Sequence, residues 1–269
     1  MYYKKFRKDI IGIGHDDRTQ MPQMTTIIPG FLIILGALFG GIIASNFAKL
    51  VILAKVAQYY RSSLEVGSED YVLVPENKLI RAEIVPSYEC YFWACVTAIA
   101  FPCISLEYEY PASVLIILAL SVLVVMSFVD YAVRIAPFEL TVVFYLLAIF
   151  YAISAYSFQS FVAVFTIASL SFVFLKAANK IADFMDRDVP IGNGDVRIIP
   201  ACVIMLGSLG TLTMLFAMAI LPMLWIIIKL IMSENISLKD KIPLIPYLTL
   251  GFIAGLFPSI PLGLTLGGV

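Results

Sequence analysis

Two aspartates in this chain stand where a charge is expensive. Asp130 directly follows the uncharged run from Ser113 to Val129, and Asp195 closes the turn Pro190-Ile191-Gly192-Asn193-Gly194-Asp195, just ahead of the uncharged block from Ile198 to Ile228. An ionisable residue at a membrane span costs at least a few kcal/mol, so such residues are functional candidates by default. Two carboxylates close enough to share a proton supply one acid and one base, which is how an aspartic protease activates water. The ionised partner takes a proton from water while the other protonates the departing amide.

Gly192 and Gly194 fit that chemistry, because without a Cβ they permit a tight turn and close backbone approach, aiming Asp195 across at another helix. A second reading stays open for Asp195: a helix-entry turn, where a negative charge suits the dipole. For Asp130, an acid that ends a span, function is the favoured reading over an interface residue.

Rival machinery is scarce. The single histidine, His15, sits in a charged tail and reads as a solvated surface residue. Cys90, Cys95, Cys103 and Cys202 lie in apolar runs without C-x-x-C spacing or a companion histidine, which argues against a zinc site or redox pair and for buried thiols. Asp183, Asp186 and Asp188 precede the glycine turn; they could attract a basic substrate segment, or form a solvated rim. Gly36, Ala37, Gly40 and Gly41 give the first span a small-residue face suited to helix packing.

The elements that must position these residues follow from composition. Of 269 residues, 61% are hydrophobic and 14% charged, with mean hydropathy +0.95, which excludes an ordinary soluble domain. A net charge of -1 offers no basic surface for nucleic acid, so partners belong in or beside the bilayer. A helical span needs about 20 apolar residues. Candidate spans are approximately 27–48, 90–106, 111–129, 138–157, 159–175, 198–209, 211–231 and 243–262, an all-α polytopic arrangement. The count is eight if the uncharged block is split at Gly207-Ser208-Leu209-Gly210, otherwise seven. A polar tail, 1–26, precedes a single membrane domain, 27–262, whose main soluble insert is a loop at about 55–84.

Basic residues are retained on the cytoplasmic side. If the first span enters the cytoplasm, thirteen of the eighteen Lys and Arg fall in cytoplasmic loops, and Asp130 and Asp195 lie on that same face. The exceptions are Lys4, Lys5, Arg7, Lys8 and Arg18, which place a basic tail outside. Ile10 to Gly14 is too short for the apolar region of a signal peptide.

Several of these residues resemble a known family. Gly192-Asn193-Gly194-Asp195 matches the GxGD motif of type IV prepilin peptidases, polytopic aspartic proteases similar in that motif to preflagellin peptidases and presenilins. Asp130-Tyr131-Ala132-Val133-Arg134-Ile135-Ala136-Pro137 resembles the family's first catalytic block, an Asp ending a span with Pro seven residues on. Pro243-Leu244-Ile245-Pro246-Tyr247-Leu248-Thr249-Leu250-Gly251 is similar to its P-x-G-P-[FY]-L-x-x-G motif, with Ile245 in place of glycine. Pro86-Ser87-Tyr88-Glu89 resembles the P-L-V-E that opens its second span. The four matches keep the family's order.

The resemblance implies an eight-span enzyme of the cytoplasmic membrane, with Asp130 and Asp195 as catalytic pair and Gly192, Asn193, Gly194, Pro137 and Arg197 as supporting motif residues. Its substrates would be prepilins or pilin-like secretion subunits, whose basic leader is removed at the cytoplasmic face. Many members also N-methylate the new terminus with S-adenosylmethionine. Two departures stand out. The loop from Lys49 to Glu83 lacks the family's two zinc-binding C-x-x-C pairs, which argues against zinc and, less strongly, against methyl transfer. The usual Lys two residues after the motif Asp is here Arg197. The competing class is an ion- or proton-coupled transporter that uses the same carboxylates, although such sites more often lie near the midplane.

Overall fold

A computed structural model describes residues 24–54, 87–185, 192–231 and 243–257. Residues 1–23 of the expected tail, residues 55–86 with the loop expected at about 55–84, and Asp186 and Asp188 lie outside the described residues.

Every described element is helical. Helix α1 covers Met24–Leu38, passes through a π-helical turn at Phe39–Ile43 and continues over 44–54. It is followed by α2 (Ser87–Glu107), α3 (Ala112–Val133), α4 (Phe138–Ala155), α5 (Phe158–Phe184), α6 (Asn193–Ile231) and α7 (Ile245–Leu256). Six stretches are long and apolar enough to cross a membrane: Pro29–Ala54, Tyr88–Glu107, Ala112–Ala132, Phe138–Ala155, Phe158–Ile181 and Gly194–Ile228. The chain is a polytopic membrane protein.

The bounds differ from the expected spans in instructive ways. Helix α5 runs on to Phe184, which places Asp183 within it, because polar residues past the membrane edge need not end a helix. Within α6, Gly207 takes φ 65° and ψ −167°, a conformation open almost only to glycine, so α6 is two arms joined at a break. The break falls at the first residue of the expected split. The first arm is roughly 20 Å long at about 1.5 Å per residue, and α7 has only 12 residues. Both fall short of a hydrocarbon core of about 30 Å.

Glycines set how closely the helices approach. A Cβ at Gly36 or Gly40 would strike the α2 backbone at Thr97 or Trp93, so the small-residue face of α1 packs within the chain, antiparallel to α2. The Thr97 hydroxyl donates to the Gly36 carbonyl at 2.5 Å across that contact. On the other flank, Gly210 and Gly255 lie so close that a Cβ on either would come within 2.5 Å of the other's carbonyl oxygen. That contact seats α7 on the second arm of α6. Helix α3 occupies the middle: Ile116, Leu120, Leu123, Met126 and Phe128 are buried against α2, α4 and α7.

This packing sorts the helix ends into two faces. The start of α2, the end of α3 and the starts of α4, α6 and α7 share one; the end of α2, the start of α3, the α6 break and the end of α7 share the other. The cysteines correct the sequence reading: Cys202 is buried, Cys90 is half-buried, and Cys95 and Cys103 are exposed on α2. An apolar run cannot distinguish a side chain facing lipid from one facing a neighbouring helix, since both surroundings are apolar.

Candidate active site

Asp130 lies one turn from the end of α3. Arg134 closes that helix in the left-handed conformation (φ 56°, ψ 42°) and returns its N–H to the Asp130 carbonyl at 2.8 Å. The chain then turns through Ala136 to Pro137, whose carbonyl accepts the Thr141 N–H at 3.1 Å and the Thr141 hydroxyl at 2.9 Å, starting α4. Pro137 is therefore the first anchor of α4.

The Asp130 side chain is 8% exposed, and its Oδ2 accepts the Ile245 N–H at 3.0 Å. The first N–H groups of a helix have no partner within it, and the dipole there favours a negative group. Asp130 thus caps α7, a helix 115 residues away in sequence. One turn deeper, the Ser127 and Thr249 hydroxyls hydrogen-bond at 2.8 Å, and Thr249 also donates to the Ile245 carbonyl at 2.9 Å. Both residues are fully buried, so this pair fixes α3 against α7 directly beneath the carboxylate.

Asp195 sits in the first turn of α6, half-buried. It is a helix-entry residue, and it lies near enough to Asp130 for the two charges to interact. Among the described residues it makes no hydrogen bond. The preceding glycines have separate reasons. A Cβ at Gly192 would lie 2.8 Å from Oδ2 of Asp195, and a Cβ at Gly194 would lie 2.5 Å from the Cβ of Ala136. Gly192 thus leaves room for the carboxylate, while Gly194 lets α6 close on the α3–α4 turn.

Arg197, exposed on the same turn, lays its guanidinium over the Phe138 ring at 5.8 Å and ties α6 to the start of α4. Asn193 opens α6. The structure therefore gathers Asp130, Asp195, Gly192, Gly194, Pro137 and Arg197 at one end of the bundle. Asp183 lies in the last turn of α5, and its companions Asp186 and Asp188 are beyond the described residues. Among the described residues no group of three His, Cys, Asp or Glu is placed to hold a metal.

Sequence reasoning missed Ser127, Thr249 and the α7 amide. A serine three residues before Asp130 and a threonine four after Ile245 were the available signals, each on the face of its helix that carries the site. No family model, no curated protein and no solved structure matches the chain.

Proposed function

We propose that the protein is an aspartic endopeptidase of the type IV prepilin peptidase kind, cutting its substrate at the membrane edge. The observation that carries this reading is the placement of Asp130 and Asp195, from helices far apart in sequence, at one end of the bundle, where Asp130 holds the start of α7 and the turn before Asp195 closes on the α3–α4 turn. One carboxylate takes a proton from water; the resulting hydroxide adds to the scissile carbonyl, and the protonated partner delivers its proton to the amide nitrogen as the C–N bond breaks. Asp130, held by the Ile245 amide, is the fixed member. Asp195, without a hydrogen bond among the described residues, is free to turn toward the reacting atoms.

With the two arms of α6 counted separately, the described helices supply eight apolar segments, the number the resemblance implies. The site then faces the cytoplasm from the cytoplasmic membrane, and prepilins or pilin-like secretion subunits are its substrates. S-adenosylmethionine-dependent N-methylation of the new terminus is a second activity to test alongside. A carboxylate pair at helix ends suits a peptidase better than a transporter, whose sites lie near the bilayer midplane.

Co-expression with a prepilin tests the proposal. Leader removal is expected with the unaltered chain and is lost in Asp130→Asn and Asp195→Asn without loss of protein. Intact mass of the mature pilin reports any added methyl. Normal cleavage by either variant would sink the dyad, and Asp195-dependent ion flux in liposomes without cleavage would favour the transporter.

A further inference from the structure

A third acid lies at the same end of the bundle. Glu89, in the first turn of α2, is only 8% exposed, and its Oε1 has no hydrogen-bond partner among the described residues. The Tyr131 hydroxyl lies 2.8 Å from the Tyr88 hydroxyl and near enough to Glu89 to favour its charged form. Among the described residues no Lys or Arg pairs with Glu89.

A negative charge near a helix N-terminus is favourable, but that interaction is available to an exposed glutamate and accounts for neither the burial nor the unpartnered oxygen. Buried carboxylate oxygens are costly to leave unpaired, and an ion that occupies the site is one of the explanations such an oxygen calls for. The surroundings say what kind of partner fits. Tyr88 and Tyr131 are 62% and 40% exposed, so two accessible aromatic residues stand beside a carboxylate. That combination attracts alkylammonium and guanidinium groups, by charge from the acid and by the ring quadrupole from the tyrosines.

We propose that Glu89, Tyr88 and Tyr131 form a recognition site for one cationic side chain of the substrate, next to the dyad. Tyr131 immediately follows Asp130, so the site lies at the same end of α3 as the dyad. This second half rests on the peptidase reading: the cation is a Lys or Arg near the cleavage point, and Glu89 is a specificity-determining residue.

The chain has two tryptophans, and Trp93 lies one turn after Glu89 on α2, buried at 3% exposure. In full-length Trp225→Phe protein in lipid nanodiscs, Trp93 emission should change saturably on titration with n-butylguanidinium and not with neutral n-butylurea. Glu89→Gln should weaken guanidinium binding at least ten-fold, and Asp195→Asn should leave it intact. Equal responses to both probes, or an unchanged Glu89→Gln, would overturn the site. If Glu89→Gln does not accumulate, Glu89→Asp carries the test: the charge is kept but retracted by one methylene, so weakened, guanidinium-selective binding is expected, and unchanged affinity overturns the site.

Cleavage of paired peptides, with a basic or a neutral residue near the scissile bond, supplies the second arm. The basic peptide should have the lower KM, and Glu89→Gln should erase that difference while kcat stays the same. Guanidinium binding without prepilin cleavage by the unaltered chain would leave the cation site standing and remove the peptidase reading. Cleavage by the unaltered chain that is lost in Asp195→Asn, without guanidinium binding, would do the reverse.

Discussion

The two ends of the bundle both place polar groups on helix termini in apolar surroundings, yet they use them differently. At the end opposite the aspartates, Tyr108 donates to the Leu256 carbonyl at 2.7 Å and Tyr156 to the Met205 carbonyl at 3.1 Å. Those acceptors are carbonyls that helix geometry leaves over, at the end of α7 and just before the Gly207 break. Burial pushes both hydroxyls above the ordinary tyrosine range, so they remain neutral donors. At the aspartate end the groups are carboxylates, and the protein satisfies them incompletely: Asp130 is held through Oδ2, Asp195 has no hydrogen bond among the described residues, and Glu89 keeps an unpartnered oxygen. Polar capacity is spent on structure at one end and kept in reserve at the other. Reserve of that kind is what a reaction needs.

The sharpest way to break this contrast is at the proposed dyad. Asp130→Asn and Asp195→Asn should each lower kcat/KM for prepilin cleavage by about 10²–10⁴-fold, the usual contribution of a positioned acid or base. The Asp130 change bears on the contrast more directly, because asparagine can still accept the Ile245 N–H and hold α7. Normal amounts of folded, inactive Asp130→Asn protein would separate chemistry from capping.

Next in size is the closure that puts Asp195 opposite Asp130. In Gly194→Ala the new methyl would stand 2.5 Å from the Ala136 Cβ, well inside a normal carbon contact of about 3.5–4.0 Å. Something must move by about 1 Å, and a shift of that size near a reacting centre costs about 10²-fold. Replacing the opposing residue, as in Gly194→Ala with Ala136→Gly, should recover most of the lost rate. Failure of the double variant to recover would mean that Gly194 is needed for its backbone conformation and not for the space it leaves.

How much of this could be read from the sequence depends on range. The spans, both aspartates and the glycine turn were legible because each is a local break in an apolar pattern. Gly207 was legible for the same reason, as the start of a small-residue cluster in an uncharged block. The hold of Ile245 on Asp130 and the Ser127–Thr249 pair were not, since residues 115 and 122 positions apart share no local signal. Glu89 is visible in the sequence only as part of a motif; its importance depends on burial, which one sequence does not disclose. The cysteines on α2 show the opposite failure, where an apolar neighbourhood suggested burial and the side chains face outward.

Smaller effects should come from the tyrosine end, and they should touch stability alone. Gly207→Ala forces a side chain into a conformation that costs about 1–3 kcal/mol, which should lower the thermal midpoint in detergent while kcat for cleavage holds. A large loss of kcat in this variant would mean that the break sets the position of Asp195 from the far end of the first α6 arm, and that the two ends are less separate than they look.

Tyr156→Phe should have the smallest effect and tests the contrast most finely. It deletes one hydroxyl, donated to the Met205 carbonyl, and keeps the ring that meets Tyr151 edge-on at 5.8 Å. A single such bond contributes about 0.5–1.5 kcal/mol, and a buried carbonyl left unpaired costs about 1–3 kcal/mol. The loss should fall in that interval, with cleavage unchanged. The bond exists because the helix is interrupted two residues after Met205, so the hydroxyl and the break should not act independently. In a cycle of Tyr156→Phe, Gly207→Ala and the double variant, coupling of at least about 0.5 kcal/mol is expected, the lower end for residues that share a partner. Additive losses would show that Met205 finds another donor when the hydroxyl is gone, and the tyrosine end would then hold spare polar capacity of its own.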